Sequence, residues 1–239
     1  MRPDPLARER TCIEVLRELE GAELVLIGGY AVSTFGPARE SVDIDLVLPS
    51  RAVPAVRTVL ERREFLQEER RIGTDAFAGR VERWTLGTAP LPVGADLLID
   101  GVSDRVSGVT HSFEGLRGHA HTRTVSNRDR SLTASVPVAD AEALIGLKLP
   151  VGRLVDLRDV AVLAAEPLRI DVVDEFLKSC PRDILVRNVG KLRSALSAQN
   201  FRDSLKGVYR LDERTFERYA RAAKALCEHL EARFPLDPA

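Results

Sequence analysis

The stretch from Leu24 to Leu48 limits what this chain can fold into more than any other. An apolar run, Leu24-Val25-Leu26-Ile27, ends in Gly28-Gly29; Arg39 follows, and then Ser41-Val42-Asp43-Ile44-Asp45. Side chains alternate along a strand, so Asp43 and Asp45, one residue apart, point to the same face. Two carboxylates side by side repel unless a cation lies between them. The apolar run predicts a short buried strand, and the glycine pair predicts a turn into a short helix over Tyr30 to Phe35. Val42 to Leu48 predicts a second strand, closed by Pro49. Without Cβ atoms, glycine N–H groups at a helix start can approach a phosphate closely, although a plain strand-to-helix turn looks the same in sequence.

Composition narrows the class. A chain of 239 residues with 44% hydrophobic content can bury a real core and is not disordered. The net charge of -1 announces no nucleic-acid partner through a global field. A local basic face is compatible with it, because the cations are mostly arginine. Arg117, Arg123, Arg128 and Arg130 cluster, and Arg80 and Arg83 are expected beside them as a strip that could track RNA phosphates. Cys12, Cys180 and Cys227 are odd in number and scattered, which argues against disulfides and zinc and for reduced thiols in a cytoplasmic protein. No run approaches the ~20 apolar residues of a membrane span, so no membrane partner is expected.

Periodicity predicts helices over Leu6 to Leu19 and Arg51 to Arg63, strands over Val81 to Leu86 and Val93 to Ile99, and an edge strand plus a turn within Phe65 to Ala78. Gly101 to Thr133 is expected to be loops with one or two strands. After Pro137 the pattern becomes helical: Ala141 to Leu149, Leu154 to Ala165, Val172 to Lys178, Asp183 to Ser197 and Thr215 to Phe234. The expected domains are therefore a mixed α/β one over residues 1–136 and an all-helical one over 137–239.

Asp96 lies inside an apolar strand, where a carboxylate is costly unless paired or metal-bound. Asp100 and Asp104 are nearby alternatives, but Asp100 precedes Gly101 and has the look of a turn residue. If the strands are neighbours, Asp43, Asp45 and Asp96 converge into an oxygen-rich site suited to Mg²⁺. Lys148 sits in an apolar helix, and Asp159 is on the next one; the bland alternative is a surface salt bridge. His111, His119 and His121 lack the companions of a metal motif and are expected to be exposed. Trp84 is expected in the core.

Two resemblances extend over Leu24 to Leu163. Gly28-Gly29-Tyr30-Ala31, Gly36, Arg39 and Ser41-Val42-Asp43-Ile44-Asp45-Leu46, with a third Asp on a later strand, resemble the signature of the DNA polymerase β-like nucleotidyltransferase superfamily. That resemblance implies an α+β fold, a mixed sheet with flanking helices, here followed by an all-helical C-terminal domain. It also implies NTP and Mg²⁺ as cofactors and transfer of a nucleotidyl group with release of pyrophosphate. Asp43 and Asp45 would ligate both metals; Asp96 would ligate the catalytic metal and help deprotonate the acceptor. Gly28, Gly29, Arg39 and Ser41 would bind the nucleotide, Ser41 standing where Thr is common.

Glu142 to Leu149, Arg153 and Asp156 to Leu163 resemble the later motifs of the AbiEii/MenT group, nucleotidyltransferase-like toxins of type IV toxin–antitoxin and abortive-infection systems. This implies active-site roles for Lys148, which would also meet the nucleotide, and for Asp159, with Asp156 a weaker candidate. It implies RNA, especially the tRNA 3′ end, or protein as acceptor, and an antitoxin as partner. Two alternatives stay open: a small-molecule adenylyltransferase of the aminoglycoside type, which shares the GG…DxD pattern, and a non-catalytic NTP-binding scaffold.

Overall fold

Strict alternation along Val93–Ile99 buries Val93, Ala95, Leu97 and Ile99 and leaves Gly94, Asp96 and Leu98 half-buried. That period of two sets one face of this strand into a core and turns the other toward a site. The computed structural model describes residues 5–37, 39, 41, 43–72, 80–87, 92–105 and 107–235. Val42 and the turn expected before Ala78 lie outside them. Two units divide the chain: Met1–Thr34 with Ala38–Ser103 and Thr110–Asp140, and Phe35–Pro37 with Asp104–Val109 and Ala141–Ala239.

The first unit runs α1 (Pro5–Glu18), β1 (Val25–Ile27), α2 (Gly28–Val32), β2 (Asp43–Leu48), α3 (Val53–Arg62), β3 (Leu66–Ile72), β4 (Arg80–Leu86) and β5 (Val93–Ile99). It continues with β6 (Gly101–Ser103), β7 (Thr110–Ser112), α4 (Phe113–Arg117), β8 (Ala120–Ser126) and β9 (Thr133–Ala139). Among the described residues seven strands form one sheet in the order β3-β4-β5-β2-β1-β9-β8, and β6 pairs with β7 separately. The sheet is mixed: β2 runs parallel to β5 and β1 parallel to β9, while β1–β2, β3–β4, β4–β5 and β8–β9 are antiparallel.

On one face Ile44, Leu46, Leu48, Ala95, Leu97 and Ile99 are buried, as is Trp84. Each large apolar side chain buried this way contributes about 1.5–3 kcal/mol. The helix α3 lies on this face; its Arg57 Nε donates to Glu82 Oε2 at 2.9 Å, which satisfies a carboxylate that is wholly buried beside Leu97. α3 is tied in turn to α1, where Arg63 reaches Glu14 at 2.8 Å and Glu18 at 2.5 Å.

The segment from Gly101 to Thr133 is more ordered than the expected loops. It holds β6, β7, α4 and β8. α4 is capped by Ser112, whose Oγ accepts from the Gly115 N–H, and it buries Phe113 and Leu116. β8 is an edge strand on which Val125 is the one wholly buried residue, so hydropathy carried no alternation to read.

The second unit is helical: α5 (Ala141–Lys148), α6 (Leu154–Leu163), α7 (Ile170–Leu177), α8 (Arg182–Leu196), α9 (Gln199–Tyr209) and α10 (Glu213–Arg233). α5 packs on α6 and α7, and α10 packs on α6, α8 and α9. α9 was not expected from the sequence, although Phe201, Leu205 and Tyr209 recur at helical spacing and are buried. Cys12, Cys180 and Cys227 are free and buried; burial pushes their thiols up to about 12, 11 and 11. No helix among the described residues is long and apolar enough to cross a membrane.

Candidate active site

The acidic residues of the first unit stand in register. Across the parallel β2–β5 pair Asp45 is the partner of Asp96 and Asp43 the partner of Gly94. Neighbouring strands lie about 4.7–4.9 Å apart and side chains alternate between their faces, so Asp43, Asp45 and Asp96 share one face of two adjacent strands. All three are half-buried, opposite the apolar face. The row goes on in both directions: Ile27 on β1 partners Asp45, and Arg83 on β4 partners Asp96.

The glycine pair at the β1–α2 turn lets side chains reach the backbone. Gly28 is left-handed at φ +71, and a Cβ there would stand 1.8 Å from Asp45 Oδ2. A Cβ on Gly29 would meet Ser41 Oγ at 2.4 Å and Arg39 Nη2 at 2.8 Å. Asp45, Ser41 and Arg39 thus gather against Gly28 and Gly29. Ser41 is held in turn: its carbonyl accepts from the buried Tyr30 hydroxyl at 3.3 Å, and its Oγ donates to the Asp43 carbonyl at 3.3 Å. Burial raises the Tyr30 pKa far above its ordinary value, so the hydroxyl keeps its proton. α2 has only five residues, so the close backbone approach matters here more than a helix dipole.

Arg83 was expected in a basic strip; it belongs to this row instead. Its Nε donates to Asp96 Oδ1 at 2.9 Å and its Nη2 to Asp96 Oδ2 at 2.8 Å, a two-pronged guanidinium–carboxylate pair. The strip itself is not assembled. Four strands separate Arg80 and Arg83 on β4 from Arg123 on β8. Arg80 is tied to Asp100 at 3.1 Å, and Arg128 to Glu9 at 3.0 Å. Asp100 serves a turn: at φ +66, it accepts from the Ser50 N–H at 2.7 Å. Asp104 likewise accepts from Ser107 N and Oγ, each at 2.6 Å.

Three carboxylates on one face are the hard oxygen donors that Mg²⁺ takes, and in that respect they fit it. As they stand, however, no three His, Cys, Asp or Glu side chains among the described residues are grouped so that they could hold a metal ion. Asp96 faces Arg83. The histidines offer no other centre: His121, exposed, meets Asp140 through Nδ1 at 2.7 Å, while His111 is half-buried rather than exposed and partial desolvation lowers its pKa.

Lys148 and Asp159 come together in the second unit, and their pair is not on the surface. Lys148 Nζ lies 2.7 Å from Asp159 Oδ2 and 3.7 Å from Asp156 Oδ1, with Asp159 wholly buried. The Tyr209 hydroxyl donates to Asp159 Oδ1, and Arg153 Nε donates to Asp156 Oδ2 at 2.7 Å. A buried ion pair of this kind persists only when further hydrogen bonds satisfy both partners. Tyr209 supplies one and was missed in the sequence because α9 was.

The fold has known counterparts. No protein-family model matches the chain, and no curated protein matches it in sequence. Among solved structures, one from Helicobacter pylori, described as a candidate nucleotidyltransferase, aligns over 98% of this chain and 99% of its own at a TM-score of 0.50 and 14% identity. MenT4, a nucleotidyltransferase toxin from Mycobacterium tuberculosis H37Rv, aligns over 96% of this chain and 86% of its own at a TM-score of 0.51 and 16% identity. The chain has the nucleotidyltransferase fold. At these identities the likeness is one of fold, and it spans nearly the whole chain. Within the nucleotidyltransferase fold of this chain the carboxylate row and the glycine pair occupy the first unit, and Lys148, Asp156 and Asp159 the second.

Proposed function

We propose that this protein is a Mg²⁺-dependent nucleotidyltransferase that moves an NMP from an NTP to an acceptor hydroxyl on RNA. One observation carries the proposal: Asp45 and Asp96 are cross-strand partners with Asp43 on their face, beside a glycine turn, in a chain of nucleotidyltransferase fold. Asp43, Asp45 and Asp96 would hold the metal. When bound, Mg²⁺ supplies positive charge to the phosphates and the leaving pyrophosphate. Arg39, gathered against Gly29, binds the triphosphate through its planar fork. Asp96 takes the proton of the acceptor hydroxyl; a bond forms from that oxygen to the α-phosphorus as the bond to the β-phosphate breaks. Lys148, held by Asp159 and Asp156 within the second unit, would keep the active-site role that the AbiEii/MenT resemblance implies.

RNA is favoured over a small molecule by a surface of the second unit. Arg214, Arg218 and Arg221 follow one another at i, i+4 and i+7 on α10, are exposed, and make no ion pair among the described residues. The acidic neighbours are engaged elsewhere: Glu213 with Lys206 at 2.9 Å and Glu217 with Arg202 at 3.6 Å. Unpaired arginines on one helix face suit a phosphate backbone. MenT4 is a toxin, so toxin-like action belongs to the same proposal; the resemblance of the sequence to the AbiEii/MenT group adds RNA as its target and an antitoxin as partner.

Incubation of the protein with Mg²⁺, each labelled NTP and total RNA, resolved by size, tests it. Label on an RNA band, abolished by Asp43→Ala and by Asp45→Ala, is the expected result. Label that persists in both variants overturns the assignment of these carboxylates. Label on a small hydroxyl acceptor instead of RNA overturns the choice of acceptor.

A further inference from the structure

Arg83 stands where a cation is wanted. Its guanidinium closes on both oxygens of Asp96 at 2.9 and 2.8 Å, and Asp96 is the register partner of Asp45. Arg83, Asp96 and Asp45 therefore form one straight row across β4, β5 and β2. The asymmetry in burial is informative: the Asp96 side chain is 17% exposed, whereas that of Arg83 is 60% exposed. The carboxylate is fixed in the sheet, and the cation stands at the rim with a flexible stem free to leave. The hydrogen bonds to Asp96 hold the guanidinium charged, with the carboxylates of Asp96, Glu68 and Asp43 adding to the effect.

We propose that Arg83 is a built-in competitor for the metal site: it and a divalent cation contend for the same carboxylate, Asp96, and Arg83 thereby sets how tightly the site loads. This rests on the nucleotidyl-transfer reading, in which Asp96 is a metal ligand. The competition has two parts. The two-pronged pair occupies one acceptor position on each Asp96 oxygen, and the guanidinium charge beside them repels a second cation. Loading the metal through Asp96 must break the pair. Charge-assisted two-pronged bonds are stronger than neutral ones, but exposure of Arg83 to water weakens this one, so its removal is worth about three- to tenfold in metal affinity.

Arg83 is thus a tuning residue for the site and needs no contact with the reacting atoms. It also explains how three like charges share one face without a metal being obligatory for folding: Arg83 neutralises one of them through the register of β4 against β5.

Direct binding of Mn²⁺, a paramagnetic stand-in for Mg²⁺, to the full chain tests the proposal by the loss of the free-ion resonance on titration. The variants are Arg83→Gln, Arg83→Met, Asp96→Asn, Asp43→Asn and Arg83→Gln with Asp96→Asn, each checked for its fold by circular dichroism. The expected result is tighter binding, about three- to tenfold, in both Arg83 variants, with the gain lost when Asp96→Asn is added. Unchanged or weaker binding in both Arg83 variants, while Asp96→Asn weakens it, overturns the competition and leaves the metal site standing. Binding unaffected by both Asp43→Asn and Asp96→Asn overturns the metal site itself, and the competition with it. The two Arg83 variants differ in polarity but not in charge, so a packing effect of either alone is separated from the loss of the cation.

Discussion

Asp159 is wholly buried, and three groups bear on it: Lys148 at 2.7 Å, the Tyr209 hydroxyl, and through Lys148 the carboxylate of Asp156. Removing the cation leaves a buried carboxylate without compensation, so Lys148→Met should cost about 3–5 kcal/mol. Tyr209→Phe removes one donor and keeps the cation, so it should cost only about 1–2 kcal/mol. Replacing both partners, Lys148→Met with Asp159→Leu, should restore part of the loss because no orphaned charge remains. Urea unfolding of the four proteins measures this; a double variant no more stable than Lys148→Met contradicts a buried, charged Asp159. Gly28 admits a second comparison. Alanine there meets both a left-handed backbone and the Asp45 carboxylate, whereas at Gly21, φ +80, a Cβ meets nothing within 4 Å. Gly21→Ala should therefore lose about 1 kcal/mol with Mn²⁺ binding unchanged, and Gly28→Ala should lose more and also weaken Mn²⁺ binding by turning Asp45 aside. Equal losses with equal metal affinity would show that the approach of Asp45 to Gly28 is of no consequence.

At the scale of elements, the small β6–β7 pair carries a pH dependence. His111 on β7 is half-buried, and the desolvation of its ring lowers its pKa, which favours the neutral ring in the folded protein. The sign follows: above about pH 6.5 both folded and unfolded histidine are neutral, and stability is full. As pH falls below that value the unfolded chain takes the proton first, and stability declines until the folded value is passed. Denaturant unfolding at pH 7.5 and 5.5 should show a larger loss in the wild type than in His111→Leu, and an equal loss in the two would sink the assignment. Elements of this polar kind were also the ones the sequence concealed. β2 and β5 were legible because apolar residues alternate with Asp, and the DxD spacing alone set two carboxylates on one face. β7 and β8 were not, since their Thr, Ser, His and Arg residues have no hydropathy rhythm. α9 was legible in principle through Phe201, Leu205 and Tyr209. The place of Arg83 was not legible at all, because a cross-strand partner depends on register, and register is settled by pairing between segments distant in the chain.

The whole molecule is nearly neutral, and its charge matters through distribution rather than sum. Many described cations are matched by carboxylates; a different arrangement is found on the face of α10, where Arg214, Arg218 and Arg221 stand exposed while Glu213 and Glu217 are engaged by α9. If RNA phosphates lie along that face, each arginine releases counter-ions on binding. For single strands the slope of log affinity against log salt changes by roughly 0.7 for each phosphate contact, so replacing all three arginines with Gln should flatten it by about 2. The loss should fall alike on RNAs of different sequence, since backbone contacts position without reading bases. Filter binding of total tRNA across a range of KCl concentrations gives both slopes, and Asp43→Asn measured in parallel should leave the slope at its wild-type value because it removes no cation. A triple variant whose slope matches the wild type would place the RNA elsewhere on the surface, whereas a flattened slope with weaker binding at low salt ties α10 to the acceptor.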